Sequence, residues 1–219
     1  MIKGAIFDAD GTLFDSMHIW DTIGETYLRS IGYTPKENLN ETFKNMSLYQ
    51  AAQYYIDEYG VPYSADEIID GVNSMIENFY KYEVKLKPGV EAFLQNLYDK
   101  KVKMCVATAT DEPFIKAALV RLKADKYFSG IFTCASVGHG KDEPFIYREA
   151  LKHLGTSKKN TVVFEDALYA AKTAKKNGFI TVCVNDIYEK NQAEIKEIAD
   201  FYIDSFLNTQ SFWEFASAI

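Results

Sequence analysis

The sequence predicts an α/β protein built on a doubly wound, Rossmann-like parallel sheet, and three observations support this prediction. Short apolar runs alternate along the chain with segments of helical periodicity. The runs are rich in Val, Ile and Phe, as expected for strands buried on both faces. With 219 residues and 47% hydrophobic content, the chain is long enough to bury a sizeable core. The predicted strands are residues 2–7, 102–107, 161–164, 181–184 and 201–203.

Helices between these runs are predicted from their terminal residues. Residues 166–176 open with an acid, end in two lysines and are followed by Gly178. This pattern matches the charge preference of the helix dipole and the glycine preference at a helix C-terminus. A second helix opens with Asp-Glu-Pro at residues 111–113. Both helices agree with connections between the strands of a parallel sheet.

A long stretch after the first strand, residues 16–85, shows only helical periodicity, with apolar residues such as Ile23 and Leu28 at helical spacing. We expect it to form an inserted all-helical cap domain. The α/β core domain would then comprise residues 1–15 and 86–219. The two hinges between cap and core would lie near residues 14–15 and 85–89.

Composition and charge exclude several classes of protein. The chain carries 24 basic and 31 acidic side chains, a formal charge of −7, and no long basic run, so we expect no nucleic-acid partner. No apolar run approaches the roughly 20 residues of a membrane span, and an acid, Asp8, precedes any signal-like apolar segment. We therefore expect a cytoplasmic protein without membrane association. The sequence gives no indication of oligomeric state.

The three cysteines, Cys105, Cys134 and Cys183, are far apart and lack the paired spacing of zinc or redox sites. Each lies in or beside an apolar run. We expect them to be buried, reduced thiols.

Two acids follow the first predicted strand, Asp8 and Asp10, and Gly11 then lets the backbone turn away. The carboxyl end of a parallel strand is where open α/β sheets bind ligands. Two carboxylates there repel each other unless a shared proton or a hard divalent cation such as Mg²⁺ relieves them. Asp-x-Asp-Gly also occurs in calcium loops, but no further ligand spacing follows it here.

Four separate segments together resemble the haloacid dehalogenase superfamily, in its phosphatase and phosphomutase branch with a small helical cap. They are residues 8–12 after the first strand, Thr108 after the second, Lys141 before a helix, and Glu165 with Asp166 after the third. Taken alone, the lysine would be a surface residue and the acidic pair a helix cap. Their order and their positions at strand ends favour the resemblance.

The resemblance implies a phosphatase that works through a covalent intermediate. Asp8 would attack phosphorus and form an aspartyl-phosphate, which water later hydrolyses. Asp10 would donate a proton to the departing alcohol and then accept one from water. This role requires that its surroundings hold Asp10 partly protonated, because a free aspartate titrates at about 4.

The other motif residues would serve the phosphoryl group and the metal. Thr108 and the amide of Ala109 would bind the phosphoryl oxygens, and Lys141 would neutralise charge on them and on Asp8. Glu165 and Asp166 would complete the magnesium shell, and the backbone carbonyl of Asp10 would also reach the ion. The implied metal ligands are Asp8, Asp10, Glu165 and Asp166.

The expected cap bears on the substrate. Residues 45–80 contain no Lys or Arg but six acids and seven aromatic residues. This disfavours a clamp for a second phosphate, which the caps of β-phosphoglucomutases have. We therefore expect a small phosphorylated metabolite with a neutral leaving group, such as a sugar, polyol or nucleoside. His18 and Trp20 are candidates to line the substrate pocket, and the alternative for Trp20 is packing within its helix.

Other functions stay open beside this one. Lys36, Lys44 and Lys81 leave room for a β-phosphoglucomutase-type phosphotransferase. A non-catalytic binding protein on the same fold would be expected to have lost at least one of four motif residues, and none is lost: Asp8, Asp10, Lys141 and Asp166. A dehalogenase would not need Asp10. Residues 138–141 are no P-loop, because the first required glycine and the Ser/Thr are absent.

Overall fold

The computed structural model describes residues 1–43 and 46–219, so Lys44 lies outside the described residues. The chain divides into two compact units. The α/β unit comprises Met1–Ser16 and Val84–Ile219, and the helical unit comprises Met17–Glu83. Whether these units work as a catalytic core and a cap stays a prediction.

The α/β unit is built on a six-stranded sheet in which every pair of neighbouring strands is parallel. The order is β3-β2-β1-β4-β5-β6, so successive strands are added first on one side of β1 and then on the other. This confirms the predicted doubly wound fold. The crevice between β1 and β4, where the order reverses, is the place where such sheets bind ligands. The strands are β1 Gly4–Phe7, β2 Lys103–Thr108, β3 Ile131–Thr133, β4 Thr161–Glu165, β5 Ile180–Val184 and β6 Phe201–Ile203.

Strand β3 is the element that the sequence-based prediction lacks. It has three residues, only Thr133 is fully buried, and it pairs with β2 alone at the edge of the sheet. Thr133 also caps the next helix through its side chain. The apolar pattern is therefore too short and too weak to indicate a buried strand. The five strands that the sequence predicts are all present.

Helices flank the sheet of the α/β unit, and their ends follow the expected signals only in part. The helix after β4 begins at Leu168, two residues later than Asp166, because Ala167 before it has an extended backbone. Its C-terminus is as predicted, with Gly178 in the left-handed region at φ 77°.

The helical unit contains four α-helices among its described residues, α1 Met17–Ser30, α2 Leu39–Phe43, α3 Leu48–Tyr59 and α4 Ala65–Asn78, and ends in a short π-helix, Phe79–Glu83. Capping boxes begin α3 and α4 at Ser47 and Ser64. A cavity of about 310 Å³ lies within this unit and is lined mainly by apolar side chains. Of the seven aromatic residues in 45–80, Tyr55, Phe79 and Tyr80 are buried, whereas Tyr49 and Tyr63 are exposed.

The helices of the α/β unit are α5 Val90–Asp99, α6 Glu112–Arg121, α7 Cys134–Val137, α8 Phe145–Leu154, α9 Leu168–Lys176, α10 Gln192–Ile198 and α11 Gln210–Ala218. No helix within the described ranges has the length and apolar character needed to cross a bilayer. All three cysteines are free thiols; Cys105 and Cys183 are buried as predicted, whereas Cys134 is only half-buried.

The chain leaves and re-enters the α/β unit along two segments that pair with each other. The amide of Asp15 donates to the carbonyl of Lys85 at 3.0 Å, and the amide of Lys87 donates to the carbonyl of Leu13 at 2.8 Å. Phe14 and Leu86 form an antiparallel bridge between them. The two segments that flank the helical insertion are therefore neighbours within the sheet-containing unit.

Candidate active site

Asp8 and Asp10 follow β1 at the reversal point of the sheet, and both are buried. Strand β1 is buried along its whole length, so the chain reaches the acids through the middle of the core. The amide of Asp8 donates to the carbonyl of Phe164 in β4 at 3.0 Å, which fixes the end of β1 against its neighbour. Gly11 has φ 73°, a conformation that turns the chain away and that favours glycine.

Lys141 brings the ends of β1 and β4 together. Its ammonium group donates to Asp8 Oδ1 at 2.5 Å and to Glu165 Oε1 at 2.9 Å, and only 3% of its side chain is exposed. Burial alone would lower the pKa of Lys141, but the carboxylates of Asp8 and Glu165 outweigh it and raise that pKa above its usual value. Lys141 is therefore held as a cation between two carboxylates that are 133 and 24 residues away in sequence.

Three carboxylates converge at this point. Single oxygens of Asp8, Glu165 and Asp166 all lie within 4.8 Å of one another. Glu165 and Asp166 stand at the end of β4 and directly after it. Three carboxylate oxygens this close together could hold one hard cation.

The electrostatics of the cluster also fit a cation. Burial is the main cause that raises the pKa of Glu165 to about 7, and Asp8 adds to it against the opposing effect of Lys141. Burial, followed by the charges of Asp8 and Glu165, raises the pKa of Asp166 well above its usual value. Oε2 of Glu165 is buried and has no hydrogen-bond partner among the residues that the structure describes. A single lysine thus leaves an excess of buried negative charge, which a hard divalent cation would neutralise.

Asp10 has different surroundings from Asp8. Its carboxylate accepts hydrogen bonds from the hydroxyls of Ser16 at 2.6 Å and Thr110 at 2.7 Å. It is not one of the three converging carboxylates, so only its backbone carbonyl is left for the predicted metal contact. That contact, like the acid–base role, stays a prediction.

The remaining predicted site residues divide between the two units. Thr108 is buried at the end of β2, where its hydroxyl accepts from the amide of Thr110 at 3.1 Å, and Ala109 is exposed directly after it. His18 and Trp20 lie in the first turns of α1, in the helical unit. His18 packs edge-on against Phe79, and both candidate residues are exposed. The contact of His18 and Trp20 with substrate stays a prediction.

Sequence reasoning missed the residues that hold the motif side chains. These are Thr12 on Asp166, Ser16 and Thr110 on Asp10, and Tyr147 on Glu165. Thr12 lies within the first motif and Ser16 lies just after it, so their closeness to the acids in sequence is a signal that could have identified them. The others are common residue types whose partners are remote in sequence, so no local spacing marks them.

A second lysine and acid lie beside the site. Lys87, with 14% of its side chain exposed, donates to Asp186 Oδ2 at 2.8 Å and to the carbonyl of Asn185 at 2.7 Å. Its ammonium group also contacts the carbonyl of Gly11. Lys87 therefore ties the turn after β1 to the loop after β5.

Comparison with known proteins identifies the family to which the chain belongs. A sequence model of the haloacid dehalogenase-like hydrolase family matches residues 5–184, which include every motif described above. The chain belongs to this family. The resemblance noted from the motifs is thereby confirmed, as is the expectation of a hydrolase of this superfamily.

Relatives match over most of the chain. A phosphorylated carbohydrates phosphatase of Thermotoga maritima is 25% identical over 177 residues, 81% of this chain and 82% of that protein. A (DL)-glycerol-3-phosphatase of Arabidopsis thaliana is 24% identical and covers 94% of this chain and 88% of its own. The crystal structure of a candidate β-phosphoglucomutase from Thermotoga maritima superposes with a TM-score of 0.84 at 22% identity, covering 97% of this chain and 99% of that one. The structural match supports the fold.

Proposed function

We propose that the protein is a Mg²⁺-dependent phosphatase that hydrolyses a small phosphate monoester through an aspartyl-phosphate on Asp8. The observation that carries this proposal is Lys141, buried between Asp8 and Glu165 where three carboxylates converge. A buried acid paired with a fixed cation is suited to attack an anionic phosphoryl group, because the cation offsets the charge that the two reactants share.

In the first half-reaction, a carboxylate oxygen of Asp8 attacks phosphorus and the bond from phosphorus to the ester oxygen breaks. Asp10 donates its proton to that oxygen, so the leaving group departs as a neutral alcohol. The hydroxyls of Ser16 and Thr110 hold both oxygens of the Asp10 carboxyl group in place. Thr108 and the amide of Ala109 bind the phosphoryl oxygens during transfer.

In the second half-reaction, Asp10 is a carboxylate and accepts a proton from water. The water oxygen attacks phosphorus, the bond from phosphorus to Asp8 breaks, and inorganic phosphate is released. Lys141 stabilises the Asp8 carboxylate as it leaves. Asp10 ends the cycle protonated, as it began.

The carboxylates of Asp8, Glu165 and Asp166 would hold the Mg²⁺ ion, with the backbone carbonyl of Asp10. When bound, the ion supplies positive charge that stabilises the phosphoryl oxygens. Lys141 is paired with both Asp8 and Glu165 and so holds their carboxyl groups in place for it.

The relatives and the composition of the helical unit support a substrate class. The two phosphatases described above are named for phosphorylated carbohydrates and for glycerol 3-phosphate, both esters of neutral polyhydroxy compounds. Residues 45–80 lack the basic side chains that a second phosphate would need. We infer a phosphate monoester of a sugar or polyol as the substrate.

The direct test measures phosphate release from p-nitrophenyl phosphate and from a panel of sugar and polyol phosphates, with Mg²⁺ and after its removal by chelation. We expect turnover only with the metal. Rapid quenching of Asp10→Asn with a phosphorus-labelled ester should leave label on Asp8, because leaving-group departure from an activated ester needs no acid whereas attack by water needs the base. Metal-independent turnover, or label on another residue, would contradict the proposal.

The same panel tests the phosphotransferase alternative. If the protein interconverts β-glucose 1-phosphate and glucose 6-phosphate faster than it releases phosphate, it is a mutase. The absence of basic residues from 45–80 would then be no guide to its substrate. If the protein binds these esters without turning any of them over, it is a binding protein on the same fold.

A further inference from the structure

Tyr147 lies on α8 and its side chain is fully buried in the core of the α/β unit. It packs in one apolar cluster with residues of the sheet such as Ile6 and Val163. The ring of Phe179 lies 6.0 Å from its own, centroid to centroid. Because protein interiors are close-packed, the ring of Tyr147 has little room to reorient. Its hydroxyl group is therefore held in one place.

That hydroxyl donates a hydrogen bond to Oε1 of Glu165 at 2.7 Å. The carbonyl oxygen of Ala170 is a second neighbour, at 3.4 Å. Oε1 also receives the ammonium group of Lys141 at 2.9 Å. One oxygen of Glu165 thus takes two donors, while the buried Oε2 has none within the described part of the chain.

This unequal distribution fixes the rotation of the carboxylate. Each carboxylate oxygen has two lone pairs, so one donor on each oxygen would leave only half of the capacity of each for a metal ion. Two donors on Oε1 leave Oε2 with its full capacity as a ligand, in a cluster where Asp8 and Asp166 each have an oxygen within 4.8 Å of a Glu165 oxygen. An unsatisfied buried carboxylate oxygen is costly, and coordination of a cation removes that cost.

We propose that Tyr147 is a positioning residue of the metal site, whose hydroxyl acts with Lys141 to hold Oε1 of Glu165 and so present Oε2 to the ion. This proposal rests on the proposed metal-dependent function. It assigns to a residue of α8, outside the four motifs, a part in metal affinity. If Tyr147 served only to fill the core, its ring would matter and its hydroxyl would not.

The experiment removes the hydroxyl and keeps the ring. Tyr147→Phe and wild type are titrated with Mg²⁺ by calorimetry, in the absence of any phosphate ester. Loss of a group that orients a metal ligand weakens metal binding by about 10- to 100-fold, and we expect a change in that range. Circular dichroism establishes that each protein is folded at the temperature of the titration.

Tyr127→Phe is the matched control. Tyr127 is buried in the same unit, and its hydroxyl donates to the side-chain oxygen of Gln95 at 2.8 Å and not to one of the three converging carboxylates. We expect its Mg²⁺ affinity to equal that of wild type. Equal affinity in Tyr147→Phe and wild type, or the same loss in both variants, would overturn the proposal.

A double-mutant comparison isolates the interaction between Tyr147 and Glu165. In a Glu165→Gln background the hydroxyl no longer has a carboxylate to orient, so adding Tyr147→Phe should weaken Mg²⁺ binding no further. An additional loss there would show that the hydroxyl acts by another route and overturn the proposal. Wild type that binds no Mg²⁺ would overturn the proposed function itself, which distinguishes the two failures.

One measurement needs no folded variant. With tyrosine labelled at Cζ with carbon-13, the resonance of Tyr147 in the wild-type protein should shift when Mg²⁺ saturates the site, because its hydroxyl is bonded to a ligand. A resonance that is unchanged at saturation would overturn the proposal even if Tyr147→Phe does not fold.

Discussion

The two units of the molecule are both rich in acids but differ in where the acids lie. Residues 17–83 carry eleven acidic and four basic side chains, whereas the rest of the chain carries twenty of each. The helical unit thus accounts for the whole net charge, yet none of its acids is buried. The electrically neutral α/β unit buries five acids at or after the carboxyl ends of its strands: Asp8, Asp10, Glu165, Asp166 and Asp186.

This difference shows that net charge is a poor guide to chemistry. An exposed carboxylate is hydrated and is screened by salt within about 10 Å, so it has little effect on the charge states of neighbouring groups. A buried carboxylate needs a cation or a hydrogen-bond donor, and the α/β unit supplies Lys141 and Lys87 for that purpose. Substitutions at buried acids and their partners should therefore affect turnover and stability, and substitutions in the helical unit should affect selectivity or nothing.

The largest effect is expected from Asp8→Asn. The amide is a poor nucleophile, so the rate of phosphate release should fall strongly. Loss of acid–base catalysis alone lowers a rate by about 10²- to 10⁴-fold, and we expect a larger fall here. Initial rates with p-nitrophenyl phosphate and Mg²⁺ give the ratio. Asp15→Asn is the control, because that acid is exposed in the same segment, and its rate should match wild type. Comparable rates for Asp8→Asn and wild type would contradict the covalent mechanism.

Lys141→Met should be the most destabilising of the single substitutions considered. It leaves the carboxylates of Asp8 and Glu165 without their shared cation, and breaking a buried ion pair from one side costs about 3–5 kcal/mol of unfolding free energy. Urea denaturation without metal measures the loss. Lys152→Met removes a lysine whose side chain is 79% exposed and should change stability by no more than about 0.5 kcal/mol. Equal losses for the two lysines would mean that the buried pair contributes nothing.

Mg²⁺ should stabilise the protein, and more so at high pH. Because the pKa of Glu165 is raised in the folded state to about 7, the metal-free protein loses stability as pH rises from the ordinary glutamate value through 7. The raised pKa of Asp166 acts in the same direction. Free metal at a concentration of about 100 times its Kd adds about 2.7 kcal/mol to the free energy of unfolding. Thermal melts at about pH 5.5 and pH 8 should show the larger Mg²⁺-induced rise in Tm at pH 8, since protons compete with the ion at the lower pH.

In the helical unit, Trp20→Ala should change substrate binding rather than the chemical step. Loss of a contact worth about 1–2 kcal/mol would raise KM for the best substrate by about 5- to 30-fold with kcat preserved. Tyr63→Ala, another exposed aromatic residue of the same unit, is the control and should leave KM unchanged. A fall in kcat at unchanged KM would place Trp20 in the chemistry and weaken the division between the units.

The smallest effect is expected from Glu58→Gln. Its ion pair with Lys36 is 2.5 Å long, but both side chains are about half exposed. Such pairs contribute about 0–1 kcal/mol. Urea denaturation should therefore place the variant within about 1 kcal/mol of wild type, and a loss like that of Lys141→Met would erase the distinction between exposed and buried charge.

The fold and the positions of the motif residues could be predicted because both leave local patterns. Apolar runs mark five strands, and the motif at residues 8–12 marks the place where the first of them ends. Strand β3 is too short to leave such a pattern. Tyr147 and Thr110 could not be predicted, because their partners, Glu165 and Asp10, are 18 and 100 residues away and only the folded chain brings them together. The contact of Thr12 with Asp166 could not be predicted for the same reason, since the two residues are 154 apart in sequence.

The paired segments that flank the helical unit have a consequence for how such proteins diversify. Because Leu13 and Lys87 are joined by a backbone hydrogen bond, as are Asp15 and Lys85, removal of residues 17–83 would leave two adjacent antiparallel segments that a tight turn can close. The inserted helical segment could therefore change in length or sequence without interrupting the sheet. If the insertion selects the substrate, as we propose, changes in selectivity need not disturb the residues at the strand ends.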